Sequence, residues 1–187
     1  MQNPHLHRTA THRSRQLSTL RVVPSVRNRS QGFLIAGHAI FRCAIGRSGV
    51  IVSKREGDGG TPRASLPMRR LFVRPDKGPR PLSHLVFRWM RRDDAWCDDP
   101  SDRRYNQLIS RPPDIAEERL WRDDHLYDII VELGWNDAPV RCGHGSAIFW
   151  HLPRLGYTPT AGCIATARDV FFKVLPRLAR KAKLVIR

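Results

Sequence analysis

The 187-residue sequence has no acidic residue before Glu56. Residues 1–55 hold ten of the 33 Lys and Arg residues; the other 23 stand against all 17 acids, a net of +6 within a formal charge of +16. The positive excess is therefore gathered towards the N-terminus and not spread over one binding face. With no aromatic interleaving and no recognised nucleic-acid motif, this composition predicts a solvated, disordered extension over residues 1–30 and makes nucleic acid an unfavoured partner. The remaining +6 suits an anionic, carboxylate-rich polymer.

Long apolar runs are also missing. None approaches the ~20 residues that span a bilayer, so no membrane-spanning segment is expected. Leu17 to Val26 is broken by Ser18, Thr19, Arg21, Pro24 and Ser25, and an export signal needs about 7–15 continuous apolar residues, so none is visible. The four cysteines, Cys43, Cys97, Cys142 and Cys163, include no C-x-x-C pair. That spacing disfavours structural zinc, and a chain with 41% hydrophobic residues does not need a disulfide framework to hold its core. No metal and no cofactor is expected, and there is no internal repeat.

Short apolar runs punctuated by glycine are what the sequence does contain. Phe33–Ala36, Ala39–Ile45 and Val50–Val52, separated around Gly37 and Gly46, read as strand, turn, strand. A Gly-rich loop, Glu56 to Pro62, precedes a further strand over Leu66–Val73. Residues 74–125 carry Pro, Arg, Asp and Trp with little periodicity and read as an ordered insertion, because Trp89, Trp96 and Trp121 call for burial. Strands are expected over Leu126–Leu133, Gly145–Leu152 and Lys183–Arg187. Val170, Phe171, Val174, Leu175 and Leu178 stand at helical spacing, predicting a helix over Ala167–Leu178 capped by Thr166. The fold class is mainly β with one main helix.

Two segments carry chemistry: His144 to His151, and Thr160-Ala161-Gly162-Cys163-Ile164-Ala165. A cysteine acyltransferase needs a thiol nucleophile, an imidazole to take its proton, and N–H donors for the oxyanion. Cys163 just ahead of a helix gains some thiolate character from the helix N-terminus. Taken alone, it reads first as a small buried hydrophobe, which is what most free cysteines are.

The pairing of Gly145-Ser146-Ala147-Ile148-Phe149-Trp150-His151 with Thr160-Ala161-Gly162-Cys163-Ile164-Ala165 resembles the YkuD-like L,D-transpeptidases, in particular a subgroup reading G-S-A-I-F-x-H, then T-x-G-C-[IV]-A. Gly60-Thr61-Pro62, Tyr105-Asn106 and Tyr127 through Asn136 resemble further family features, so the likeness covers residues 32–187. It departs at Ala165, where many members carry Arg, and at Ala64, where Gly is usual. The resemblance implies a β-sandwich-like catalytic domain over residues 31–187, with a helix following the nucleophile loop.

The implied activity is transfer on peptidoglycan stem peptides through a Cys163 thioester, releasing D-Ala and joining third residues of neighbouring stems. Carbapenems acylate the cysteine of this family. Thr160, Ala161 and Gly162 would form the oxyanion loop with Cys163, and Tyr105, Asn106 and Tyr127 would meet substrate. His151 stands where the subgroup has its base. His144 is the alternative, 19 residues before Cys163 against 12 for His151. Seven residues apart on one strand, the two would point to opposite faces. Hydrolysis of the same bond in muropeptides, an L,D-carboxypeptidase, is an alternative activity, and an inactive wall-binding module a more distant one. The substrate implies the cell envelope; the lack of a visible export signal suits a cytoplasmic recycling enzyme.

Overall fold

A computed structural model describes residues 16–110 and 118–187. The chain is mainly β, with a single short α-helix among the described residues. β1 (Leu17–Pro24), β2 (Gln31–Ala36) and β3 (Ala39–Ala44) follow one another as an antiparallel run. The β2–β3 hairpin turns at Gly37, whose φ of 66° suits a residue without Cβ. The two-residue strands β4 (Val50–Ile51) and β5 (Thr61–Pro62) pair beside the main sheet. β6 (Ser65–Val73) and β7 (Val86–Trp89) run parallel. β8 (Asp94–Trp96), β9 (Leu108–Ser110) and β10 (Glu118–Arg119) make a separate three-stranded sheet within the insertion. β11 (Ile129–Leu133), β12 (Phe149–His151), β13 (Ile164–Ala165), α1 (Arg168–Val174) and β14 (Leu178–Ile186) complete the chain.

Neighbouring strands run β11-β12-β13-β3-β2-β1-β14-β6, and β6 pairs back onto β11, so eight strands close into a ring with β7 appended. Inside it lies the larger core, with Leu20, Leu34, Leu71, Val131, Trp150, Ile164 and Leu184. Helix α1 adds Val170, Phe171 and Val174 to this core, and Phe171 stacks on Trp150 at 4.3 Å. Each such side chain contributes about 1.5–3 kcal/mol by leaving water. The alternate residues Phe72, Ile130 and Phe149 face outwards into a second cluster, where they meet Met90, Trp96 and Leu120 of the insertion, with Tyr127 just after it. β11 is thus buried on both faces, and its one acid, Glu132, bonds Arg70 at 2.5 Å.

Several elements differ from the expectations. Residues 17–24 are no extension: β1 lies between β2 and β14 and sends Leu20 and Val22 into the core. The N-terminal half of residues 1–30 lies outside the described residues. The helix stops at Val174 and turns through Leu175–Arg177, because Pro176 has no N–H to continue it. Thr166 is not its cap; its Oγ1 accepts the Trp150 indole N–H at 2.7 Å, and Ala167 stands at the N-cap. The expected strand at Gly145 begins only at Phe149, since the Ala147 N–H is taken by Asn106 instead of a neighbouring strand. The last strand starts at Leu178, not Lys183. Trp96 is buried but Trp89 is 45% exposed.

Candidate active site

β12 and β13 run parallel with His151 opposite Ala165. Partners across a parallel pair project to one side, and so do residues two apart on a strand. Cys163 stands two before Ala165, so it shares a face with Phe149 and His151, outside the ring. The Phe149 N–H points at Cys163 Sγ, 3.4 Å away. Cys163 and His151 both line one cleft of about 330 Å³, walled by the loop before Cys163, by residues 54–57 and by the insertion. Gly162 and Ala161 line it too.

The loop before Cys163 is tied through the hydroxyls of two threonines. Thr160 Oγ1 donates to the Cys163 carbonyl at 2.7 Å and accepts the Gly162 N–H at 3.1 Å. Thr61 Oγ1 donates to the Gly162 carbonyl at 2.8 Å and accepts the Gly46 N–H at 2.8 Å. Gly162 has φ 144°, and a Cβ there would lie 2.8 Å from the Gly60 carbonyl oxygen, so backbone meets backbone with no room for a side chain. The Gly162 N–H, expected as an oxyanion donor, is thus already engaged by Thr160.

Cys163 is 7% exposed, and its thiol donates to the Ala147 carbonyl at 3.1 Å. Burial pushes its pKa up to about 12, reinforced by the charge of Glu118 and opposed by the Phe149 N–H and by Lys54. The expected thiolate character is therefore absent at rest. Helix α1 begins only at Arg168, and loss of hydration outweighs any dipole effect at that distance. Burial also pushes His151 down to about 4, keeping it a neutral imidazole. Its Nδ1 faces the Leu152 carbonyl at 2.7 Å. A carbonyl only accepts, so the proton sits on Nδ1 and Nε2 carries a free lone pair. The Tyr127 ring packs edge-on against His151 at 5.1 Å.

The other expected residues separate. His144 is exposed and lies in a different depression, with Trp135 and Cys142. Tyr127 lines the cleft. Tyr105 and Asn106 do not meet it: both are buried, and their polar atoms are spent inside the protein. The Tyr105 hydroxyl donates to Glu56 at 2.5 Å. Asn106 Nδ2 donates to the carbonyls of Trp135 and Asn136, while its Oδ1 accepts from Trp96 Nε1 and the Ala147 N–H.

The cleft also gathers charged residues that sequence reasoning missed: Lys54, Glu56, Arg122, Arg154 and Glu118. Lys54 is buried and paired with Asp58 at 2.7 Å. Glu118 accepts a hydrogen bond from the Tyr127 hydroxyl. Glu118 follows a segment without periodicity, so nothing local pointed to it. All four cysteines are free, and the described residues contain no group of three or more His, Cys, Asp or Glu able to hold a metal ion. No described helix is long and apolar enough to cross a membrane. No protein-family model, no curated protein and no solved structure matches this chain.

Proposed function

We propose that this protein is a cysteine acyltransferase of the L,D-transpeptidase kind, acting on peptidoglycan stem peptides in the cell envelope, and that its ring of strands is a form of that family's catalytic fold. The observation that carries the reading is the shared face of β12 and β13, with Cys163 and His151 opening on one cleft. The motif likeness supplies the substrate class.

The neutral pair defines the first step. Cys163 Sγ attacks the carbonyl between the third stem residue and D-Ala, and its proton passes to the free Nε2 of His151 as the C–S bond forms. The imidazolium returns that proton to the departing D-Ala nitrogen, leaving a thioester. The N–H groups of Cys163 and Ala161 stabilise the oxyanion, since that of Gly162 is held by Thr160. A second stem's amine then attacks the thioester and gives the cross-link; water in its place gives the tripeptide.

Two measurements test this. A carbapenem incubated with the protein should add one adduct mapping to Cys163 and absent from C163A. A disaccharide tetrapeptide should yield dimers by transfer, or tripeptide alone if the protein is the L,D-carboxypeptidase. Folded protein that gives neither adduct nor product overturns the reading.

A further inference from the structure

Glu118 is oddly placed for a site built around a sulfur nucleophile. Its carboxylate lies in the cleft wall, and its charge makes ionisation of Cys163 harder. It is held there by the Tyr127 hydroxyl, whose ring packs against both His151 and Phe149. A partly buried carboxylate that hinders the nucleophile needs another use, and the reaction offers one in the cation it must receive. Ser146 also lines this cleft; it is buried, with its Oγ towards the Tyr105 hydroxyl.

Resting on the function proposed above, we infer that Glu118, positioned by Tyr127, is the subsite for the acceptor ammonium and takes its proton in the second half-reaction. A stem amine arrives as an ammonium ion. One proton passes to the Glu118 carboxylate, freeing the nitrogen lone pair. The amine attacks the thioester carbonyl, the C–S bond breaks as the C–N bond forms, and the second proton passes through His151 to the Cys163 sulfur. The products are an amide, a neutral thiol and a protonated Glu118, which loses its proton to water through the open cleft.

Burial raises the Glu118 pKa, which makes it a better base than an exposed carboxylate. The groups facing it are the Tyr127 hydroxyl and Arg122, which favour its charge, and Asp98 and Glu56, which oppose it. A bound ammonium would relieve that crowding of acids.

The test follows both half-reactions in Glu118→Gln. Carbapenem acylation expels no amine and should be undiminished, since the substitution removes a charge that opposes the thiolate. Dimer formation from tetrapeptide should fall about 100-fold, the usual scale of one proton-transfer group, while tripeptide release is kept. In the wild type, the transfer rate should stay flat between pH 7 and 9, because ammonium and carboxylate enter together. In Glu118→Gln it should rise about tenfold per pH unit, tracking the free amine, whose pKa is about 10. The wild-type profile is readable even if the variant does not fold. A wild-type rate that climbs with pH, an unchanged dimer yield in Glu118→Gln, or a wild type that makes only tripeptide with added amine overturns this assignment and leaves the nucleophile standing. Absence of any wild-type adduct and product instead overturns the acyltransferase itself.

Discussion

Asn106 and Ala147 are locked together: Asn106 Oδ1 accepts the Ala147 N–H at 3.2 Å. The Ala147 carbonyl in turn accepts the Cys163 thiol at 3.1 Å. Ala147 is held at φ 49°, a left-handed conformation that costs an alanine roughly 1–3 kcal/mol. Asn106 supplies the compensating bond, so a residue outside the cleft decides where the thiol rests.

Asn106→Ala leaves the indole N–H of Trp96, the N–H of Ala147 and two carbonyls short of a partner. Each buried unpaired group costs about 1–3 kcal/mol. Urea unfolding should show a loss of about 3 kcal/mol or more. An unchanged midpoint would mean that water replaces all four bonds.

Thiol labelling should separate the cysteines. Cys142 is exposed, whereas burial pushes both Cys43 and Cys163 up to about 12. Three units above the ordinary value leaves about a thousandfold less thiolate at neutral pH. Iodoacetamide with peptide mapping should therefore modify Cys142 first. Cys163 should react slowly, gaining about tenfold per pH unit between 7 and 9. Fast labelling of Cys163 at pH 7 would reveal a resting thiolate and contradict the neutral pair.

His151 links stability to acid. Its pKa is about 4 in the fold against 6.5 for the free side chain. The folded chain stays neutral there while the unfolded chain binds a proton, so stability falls as pH drops from 6.5 to about 4. The loss from this group is on the order of 3 kcal/mol. His151→Gln should remove that part of the pH dependence and also abolish acylation of Cys163. Denaturation midpoints at pH 4.5 and 7 in both proteins measure it.

Gly162→Ala places a Cβ 2.8 Å from the Gly60 carbonyl oxygen and strains a backbone at φ 144°. The two loops must part. A melting point lower by several degrees, corresponding to roughly 1–3 kcal/mol, is expected, together with loss of carbapenem acylation as the nucleophile loop shifts.

Removing residues 1–24 tests the ring. β1 is bonded on both edges, by β2 and by β14. Its loss exposes Leu34 and Leu184 and opens two strand edges, so the truncated chain should lose its cooperative melting transition and aggregate.

Much of this was readable in the sequence where apolar runs are dense. Phe33–Ala36 and Leu66–Val73 announce strands because short apolar runs there include Phe33, Ile35, Phe72 and Val73, and Gly37 marks the turn between β2 and β3. β1 was hidden because only Leu20 and Val22 of its residues are buried, and the polar and basic residues around them imitate a solvated tail. β14 was hidden in part for a similar reason: Arg180 and Lys181 interrupt its alternation, and the helical spacing of α1 runs on into Leu178. At the site, the two motif segments are both legible and adjacent in space. The charged wall is neither. Glu118 reaches the cleft only because β10 pairs with β8 and Tyr127 rises from the turn before β11, relationships that no local pattern encodes.

The neighbours β1 and β14 come from opposite ends of the described chain, Leu20 beside Leu184. Contacts of such long sequence separation form late and slow the search for the native state. During synthesis the ring stays open until the strand ending at Ile186 has cleared the ribosome, so a nascent chain carries Cys163 without a finished cleft. The cleft around Cys163 is thus completed only once β14 has joined β1 and β6.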